Sequence, residues 1–176
     1  MNKKKLCVFC GSGKGRGNSY LEMADDVGEF LIGQQWDLVY GGANIGVMGA
    51  MANAVLAKGG EVFGVMPKKL AEFEVAHREI TALEIVDSMH ERKQKMYDLS
   101  DGFLALPGGM GTLDELFEIL TWSQLKYHRK PIYLWNYRGF FDFLLKHLQH
   151  AGGEGFISQE HLSLLMPVEK LAEIHL

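Results

Sequence analysis

Short apolar runs of strand character alternate with stretches of helical spacing along the whole of this 176-residue chain, and glycine-rich turns stand where strand gives way to helix. With no internal repeat, low-complexity segment or long linker, these observations predict an α/β fold. The expected form is a Rossmann-like three-layer α/β/α sandwich with a mostly parallel sheet, built as a single domain over residues 1–176. Strands separated by helices require right-handed crossovers that cover both sheet faces, and ligands are expected outside the carboxyl ends of the strands.

The first strand is expected over residues 5–10, where Lys3-Lys4-Lys5 is a solvated lead-in rather than a targeting signal. Cys7 and Cys10 lie within it, and positions three apart on a strand point to opposite faces, so they read as buried structural thiols and not as a redox or zinc pair. A glycine-rich turn, Gly11 to Gly17, leads to a helix marked by Leu21, Ala24, Val27 and Leu31. A strand over 37–41 and a second glycine turn, Gly41 to Gly49, precede a helix marked by Val47, Met51, Ala54 and Val55. After a strand over 61–66, Lys68 to Arg78 interrupts the alternation; it reads either as a surface connection or as a loop over the ligand-binding edge. Beyond a strand over 80–86, Ser88-Met89-His90-Glu91 has capping-box spacing and starts a helix toward Ser100. A strand over 102–106 leads into Pro107-Gly108-Gly109-Met110-Gly111-Thr112-Leu113-Asp114-Glu115 and a helix marked by Leu113, Leu116, Phe117 and Leu120. The last expected strand covers 131–135, and Phe140, Phe141, Leu144, Leu145 and Leu148 read as core packing.

Apolar content of 47%, charged content of 23% and a formal net charge of −4 fit a globular domain and argue against a partner such as nucleic acid. No run approaches the ~18 apolar residues that span a membrane. A cytoplasmic protein with no membrane partner is expected.

Three glycine turns after three strands point to a phosphorylated small molecule held by backbone groups, because free N–H groups at a helix start, aligned with its dipole, favour an anion. The dinucleotide fingerprint fails in the first turn. Counting G-x-G-x-x-G from Gly11 ends on Arg16 and from Gly13 on Asn18, and no acid follows the second strand. The Walker pattern is absent too.

Arg92 stands on an apolar face. At about 100° per residue it falls roughly 60° from Met89, roughly 40° from Met96 and roughly 20° from Leu99, while Glu91, Gln94 and Asp98 take the opposite side. It either snorkels over its neighbours or meets an anion inside. Glu115 also has two readings. Thr112 to Glu115 has T-x-x-E capping-box spacing, so the carboxylate either bonds back to the Thr112 N–H or faces the sugar of a bound nucleotide.

These motifs together resemble the Lonely Guy (LOG) family of cytokinin riboside 5′-monophosphate phosphoribohydrolases. The resemblance spans almost the whole chain: Cys10-Gly11-Ser12, Tyr40-Gly41-Gly42, Gly64 to Pro67, Met89 to Lys93, Pro107 to Glu115 and Thr121 to Leu125. It implies a homodimer that hydrolyses the N-glycosidic bond of a nucleoside 5′-monophosphate, a cytokinin riboside monophosphate or AMP, to free base and ribose 5-phosphate, with no cofactor and no metal. By position, Arg92 and Glu115 match the family's catalytic pair and Gly108, Gly109, Gly111 and Thr112 its phosphate loop. Gly11, Ser12, Gly42, Met89 and Lys93 are the further substrate or phosphate contacts that it implies. Family members often carry the label lysine decarboxylase, but no particular lysine here stands out for the Schiff base that such chemistry needs. Gly13-Lys14, Ala43 and Lys126 depart from the family pattern; the first and last bear on the base pocket rather than the reaction. A nucleotide-binding carrier or regulatory module without chemistry is the competing expectation, and a broad AMP nucleosidase the alternative among enzymes. His147 and His150 share a helical face and read as solvated, whereas His90 is a candidate supporting residue.

Overall fold

The computed structural model describes residues 3–73 and 76–176. The elements run β1 (Lys5–Phe9), α1 (Ser19–Gln34), β2 (Asp37–Tyr40), α2 (Gly46–Ala57), β3 (Val62–Pro67), α3 (Lys68–Phe73), β4 (Ala82–Val86), α4 (Met89–Leu99), β5 (Gly102–Ala105), α5 (Met110–Gln124), β6 (Ile132–Trp135), α6 (Asp142–Gly153), α7 (Gln159–Leu162) and β7 (Leu165–Val168). The seven strands form one sheet in the order β4-β3-β2-β1-β5-β6-β7, and every neighbouring pair is parallel.

Each expected strand is present to within two residues, and β7 is added at the edge. Its sequence, Leu165-Met166-Pro167-Val168, gave no strand signal because proline lacks the ladder N–H; an edge position, paired only with β6, tolerates it. Part of Lys68 to Arg78 forms the short helix α3; residues 74 and 75 lie outside the described residues.

The chain steps one way along the sheet from β1 to β4 and the other way from β5 to β7, and right-handed crossovers running in opposite directions place their helices on opposite faces. Accordingly, α1 and α2 pack with Leu6, Val8, Leu38 and Tyr40 on one face, while Met96 of α4 and Leu116 and Ile119 of α5 pack with Cys7, Phe9, Val39 and Phe103 on the other. Cys7 and Cys10 fall on opposite faces, both buried and free, as strand geometry requires. The order of strands reverses between β1 and β5, so the loops after them lead to helices on opposite faces, and a ligand crevice is expected there at the carboxyl edge.

Candidate functional site

The three glycine turns do gather at that edge, but they play unequal parts. The β1–α1 loop offers its carbonyls to the start of α2: Val47 N–H donates to Gly11 O's neighbour Gly13 O at 3.3 Å, and Met48 N–H donates to Gly11 O at 3.4 Å. The first-turn donors of α2 are thereby used by protein. Two of the turns thus bond to each other, and through Gly11 they meet the third.

That third turn is open. Gly11 N–H donates to Pro107 O at 3.3 Å, and a Cβ on Gly11 would stand 3.3 Å from Gly108 Cα, so the two loops touch backbone to backbone. Gly109 is the N-cap of α5 and has no side-chain capping bond. The N–H groups of Met110, Gly111 and Thr112 therefore point out of the helix start with no acceptor among the described residues. Free main-chain donors at a helix start suit an anion, which the helix dipole favours by about 1 kcal/mol.

The helix start corrects the capping-box reading. Because α5 begins at Met110, Thr112 already lies in its first turn and Glu115 lies one turn further along. The Glu115 carboxylate bonds Arg92 instead, with Nη1 to Oε1 at 2.9 Å and about a tenth of either side chain exposed. Arg92 is fixed from a second side by Nε–H donating to the Val65 carbonyl at 3.1 Å. Its position on the apolar face of α4 is thus answered by an anion, as burial of a guanidinium demands. In the α4 cap, Ser88 Oγ accepts from Glu91 N–H at 3.1 Å while the Glu91 carboxylate accepts from Asp87 N–H at 2.8 Å, so the predicted start is in place.

Burial pushes the Glu115 carboxyl above its ordinary range; Arg92, and after it Lys93, pull the other way. Burial also pushes the Cys7 and Cys10 thiols up, which leaves them protonated and unreactive.

A cavity of about 250 Å³ joins the open helix start to the ion pair. Of the residues singled out in the sequence, Gly11, Ser12, Met89, Arg92, Gly109, Gly111, Thr112 and Glu115 line it. Gly108 lines the adjoining crevice of about 300 Å³, together with Tyr20 and Phe140. Gly42 and Lys93 do not line the cavity. Gly42 has φ +82°, its carbonyl accepts from His77 N–H at 2.9 Å, and its role is to turn the chain. Lys93 bonds Asp114 at 2.8 Å and Glu118 at 3.2 Å, tying α4 to α5. His90 is exposed and outside the lining, and His147 and His150 are solvated on α6. Phe141 is buried, but Phe140 is 42% exposed at the crevice rim rather than in the core.

Gly41, Met48, Leu70 and Met110 also line the cavity, and none of them was assigned as a substrate contact from the sequence. Leu70 comes from α3, so the start of the irregular Lys68 to Arg78 stretch borders the cavity. The sequence signal was the interruption itself. Among the described residues there is no cluster of side chains suited to a metal ion and no helix long and apolar enough to cross a membrane.

A parallel sheet with an open helix start and a buried carboxylate–guanidinium pair at its switch point defines an α/β protein of the class whose ligand crevice lies at the carboxyl edge of the sheet. The comparisons narrow this. Residues 48–175 match the family model described as "Possible lysine decarboxylase". The rice (Oryza sativa subsp. japonica) cytokinin riboside 5′-monophosphate phosphoribohydrolase LOG is 43% identical over 171 residues, which are 97% of this chain and 71% of the relative. The enzyme of that name from Rhodococcoides fascians is 46% identical over 156 residues, 88% of this chain and 79% of the relative. The chain belongs to the LOG family. Among solved structures, the molybdenum cofactor binding protein from Rippkaea orientalis superposes with a TM-score of 0.71 at 23% identity, covering 98% of this chain and 93% of that one. The carrier protein for the same cofactor from Chlamydomonas reinhardtii gives 0.69 at 18%, covering 97% and 92%. At these identities the likeness extends to the fold.

Proposed function

We propose that this protein hydrolyses the N-glycosidic bond of a nucleoside 5′-monophosphate, releasing free base and ribose 5-phosphate. The observation that carries the proposal is the Arg92–Glu115 pair, buried one helical turn beyond a set of helix-start N–H donors that no described residue accepts from, and within the same cavity. Relatives that share more than two-fifths of the sequence carry the name of this activity. The chemistry requires the C1′–N bond to break with its electron pair leaving on the base, water oxygen to bond C1′, and one water proton to pass to the base while the other stays on the new C1′ hydroxyl. Positive charge grows on the ribose as the base departs. An ionised Glu115 beside the sugar stabilises that charge and orients the water or a ribose hydroxyl. Arg92 holds the carboxylate ionised, and the 5′-phosphate at Gly109 to Thr112 anchors the scissile bond against it.

The substrate is either an N6-prenylated AMP or AMP itself, acted on in the cytoplasm by a homodimer. Incubation of the pure protein with AMP, N6-prenylated AMP and adenosine, with free base and ribose 5-phosphate measured, tests the reading. Release from the monophosphates and not from adenosine is expected. Binding of all without product would turn the assignment to a carrier, and equal turnover of AMP and prenyl-AMP to a broad nucleosidase.

A further inference from the structure

We propose that Gly41, at the end of β2, is the positioning residue for Arg92: the side chain it lacks leaves the space in which the guanidinium lies. A Cβ built on Gly41 would fall on Arg92 Nη2, and would stand 3.4 Å from Arg92 Cζ and 3.2 Å from Met48 Sδ. The backbone does not ask for glycine at this position. Gly42 and Gly46, in the same turn, have φ of +82° and +56°, a region that L side chains avoid, but Gly41 is outside that region. What excludes a side chain at Gly41 is the arginine.

Arg92 is thus held on three sides by three elements. Val65 of β3 accepts from Nε, Glu115 of α5 pairs with Nη1, and Nη2 lies against the bare backbone of Gly41. A methyl group at Gly41 meets the far end of a flexible side chain, not main chain. The least costly response of Gly41→Ala is for Arg92 to swing away, which leaves the fold and the α5 helix start as they are and separates the guanidinium from Glu115. Glu115 faces Arg92 and Lys93 from α4, Asp114 and Glu118 from its own helix, and the thiols of Cys7 and Cys10 from the β1 side. Of these groups Arg92 is the one nearest to the Gly41 position.

The inference rests on the proposed hydrolase reading for its activity arm, so its test includes an arm that does not need turnover. Gly41→Ala is expected to retain the circular-dichroism spectrum and cooperative melting, and to bind ribose 5-phosphate within a few-fold of the parent. Turnover should fall by about 10²-fold, the usual scale for removing one charge-stabilising group. On an Arg92→Ala background the same substitution should cost nothing further, since both changes remove one interaction. Independently of activity, the Glu115 carboxyl followed by ¹³C NMR should titrate at higher pH in Gly41→Ala than in the parent. Parental turnover and an unmoved Glu115 titration would overturn the proposal, as would full additivity with Arg92→Ala. If the parent hydrolyses none of the nucleotides while the Glu115 titration still moves, the positioning stands and the hydrolase reading falls.

Discussion

Glu115 is the residue on which two forces meet. Burial favours its neutral form, Arg92 and Lys93 favour the carboxylate, and burial prevails, so its pKa lies above the ordinary 4.5. A raised pKa means that the proton is lost only at higher pH; a role that needs the carboxylate ionised is switched off as pH falls through the raised value. Base release should therefore show an acid limb with its midpoint above 4.5, and substitution of Arg92 should move that limb further up. An acid limb at or below the ordinary value would show that the ionised carboxylate is not what the rate reports. Glu115→Gln leaves an oxygen to accept from Arg92 and so preserves packing, but it removes the charge that meets the developing ribose cation. Turnover is expected to fall about 10²- to 10⁴-fold with ribose 5-phosphate binding retained. A fully active variant, measured by free-base release, would overturn the assignment.

At the scale of elements, the helix pair α4–α5 determines whether Arg92 and Glu115 meet at all. The periodicity of residues 89–99 was enough to place Arg92 on the inward face, because that inference needs only the turn of one helix. Which anion it met was not legible, since T-x-x-E spacing after Gly111 also fits a capping box, and where α5 begins is decided by tertiary contact between Gly11 and the Pro107–Gly108 loop. Gly41 was hidden for a similar reason: among several neighbouring glycines, only the packed arginine distinguishes it from those needed for φ. Lys93 likewise stands next to Arg92 in sequence, yet it points to Asp114 and Glu118. Lys93→Met should accordingly cost about 1 kcal/mol of stability, the scale of partly exposed pairs, with KM little changed. Denaturant unfolding and steady-state kinetics check this; a large rise in KM at unchanged stability would restore the nucleotide-contact reading.

The whole molecule brings chemistry to one edge of its sheet and leaves an apolar band beside it. Met110 and Phe117 lie about 20° apart around α5, and Leu125 and Tyr127 continue past its end. Their exposures of 86%, 37%, 57% and 73% are high for such side chains. Met110 also belongs to the cavity lining, so a surface laid over this band would close one side of the site. A second copy of the chain is the proposed occupant. A two-fold interface is self-complementary, and α5 with its C-terminal turn offers these exposed apolar side chains to pair with their copies. Covering it would remove water from around Glu115 and Arg92, which strengthens their action on a ribose cation. The expected outcome is a dimer by sedimentation velocity at micromolar concentration. Replacing Phe117 and Tyr127 together by aspartate should give a folded monomer with reduced turnover. A parent chain that sediments as a monomer while hydrolysing its substrate, or a doubly substituted monomer with parental activity, would show that one copy completes the site alone.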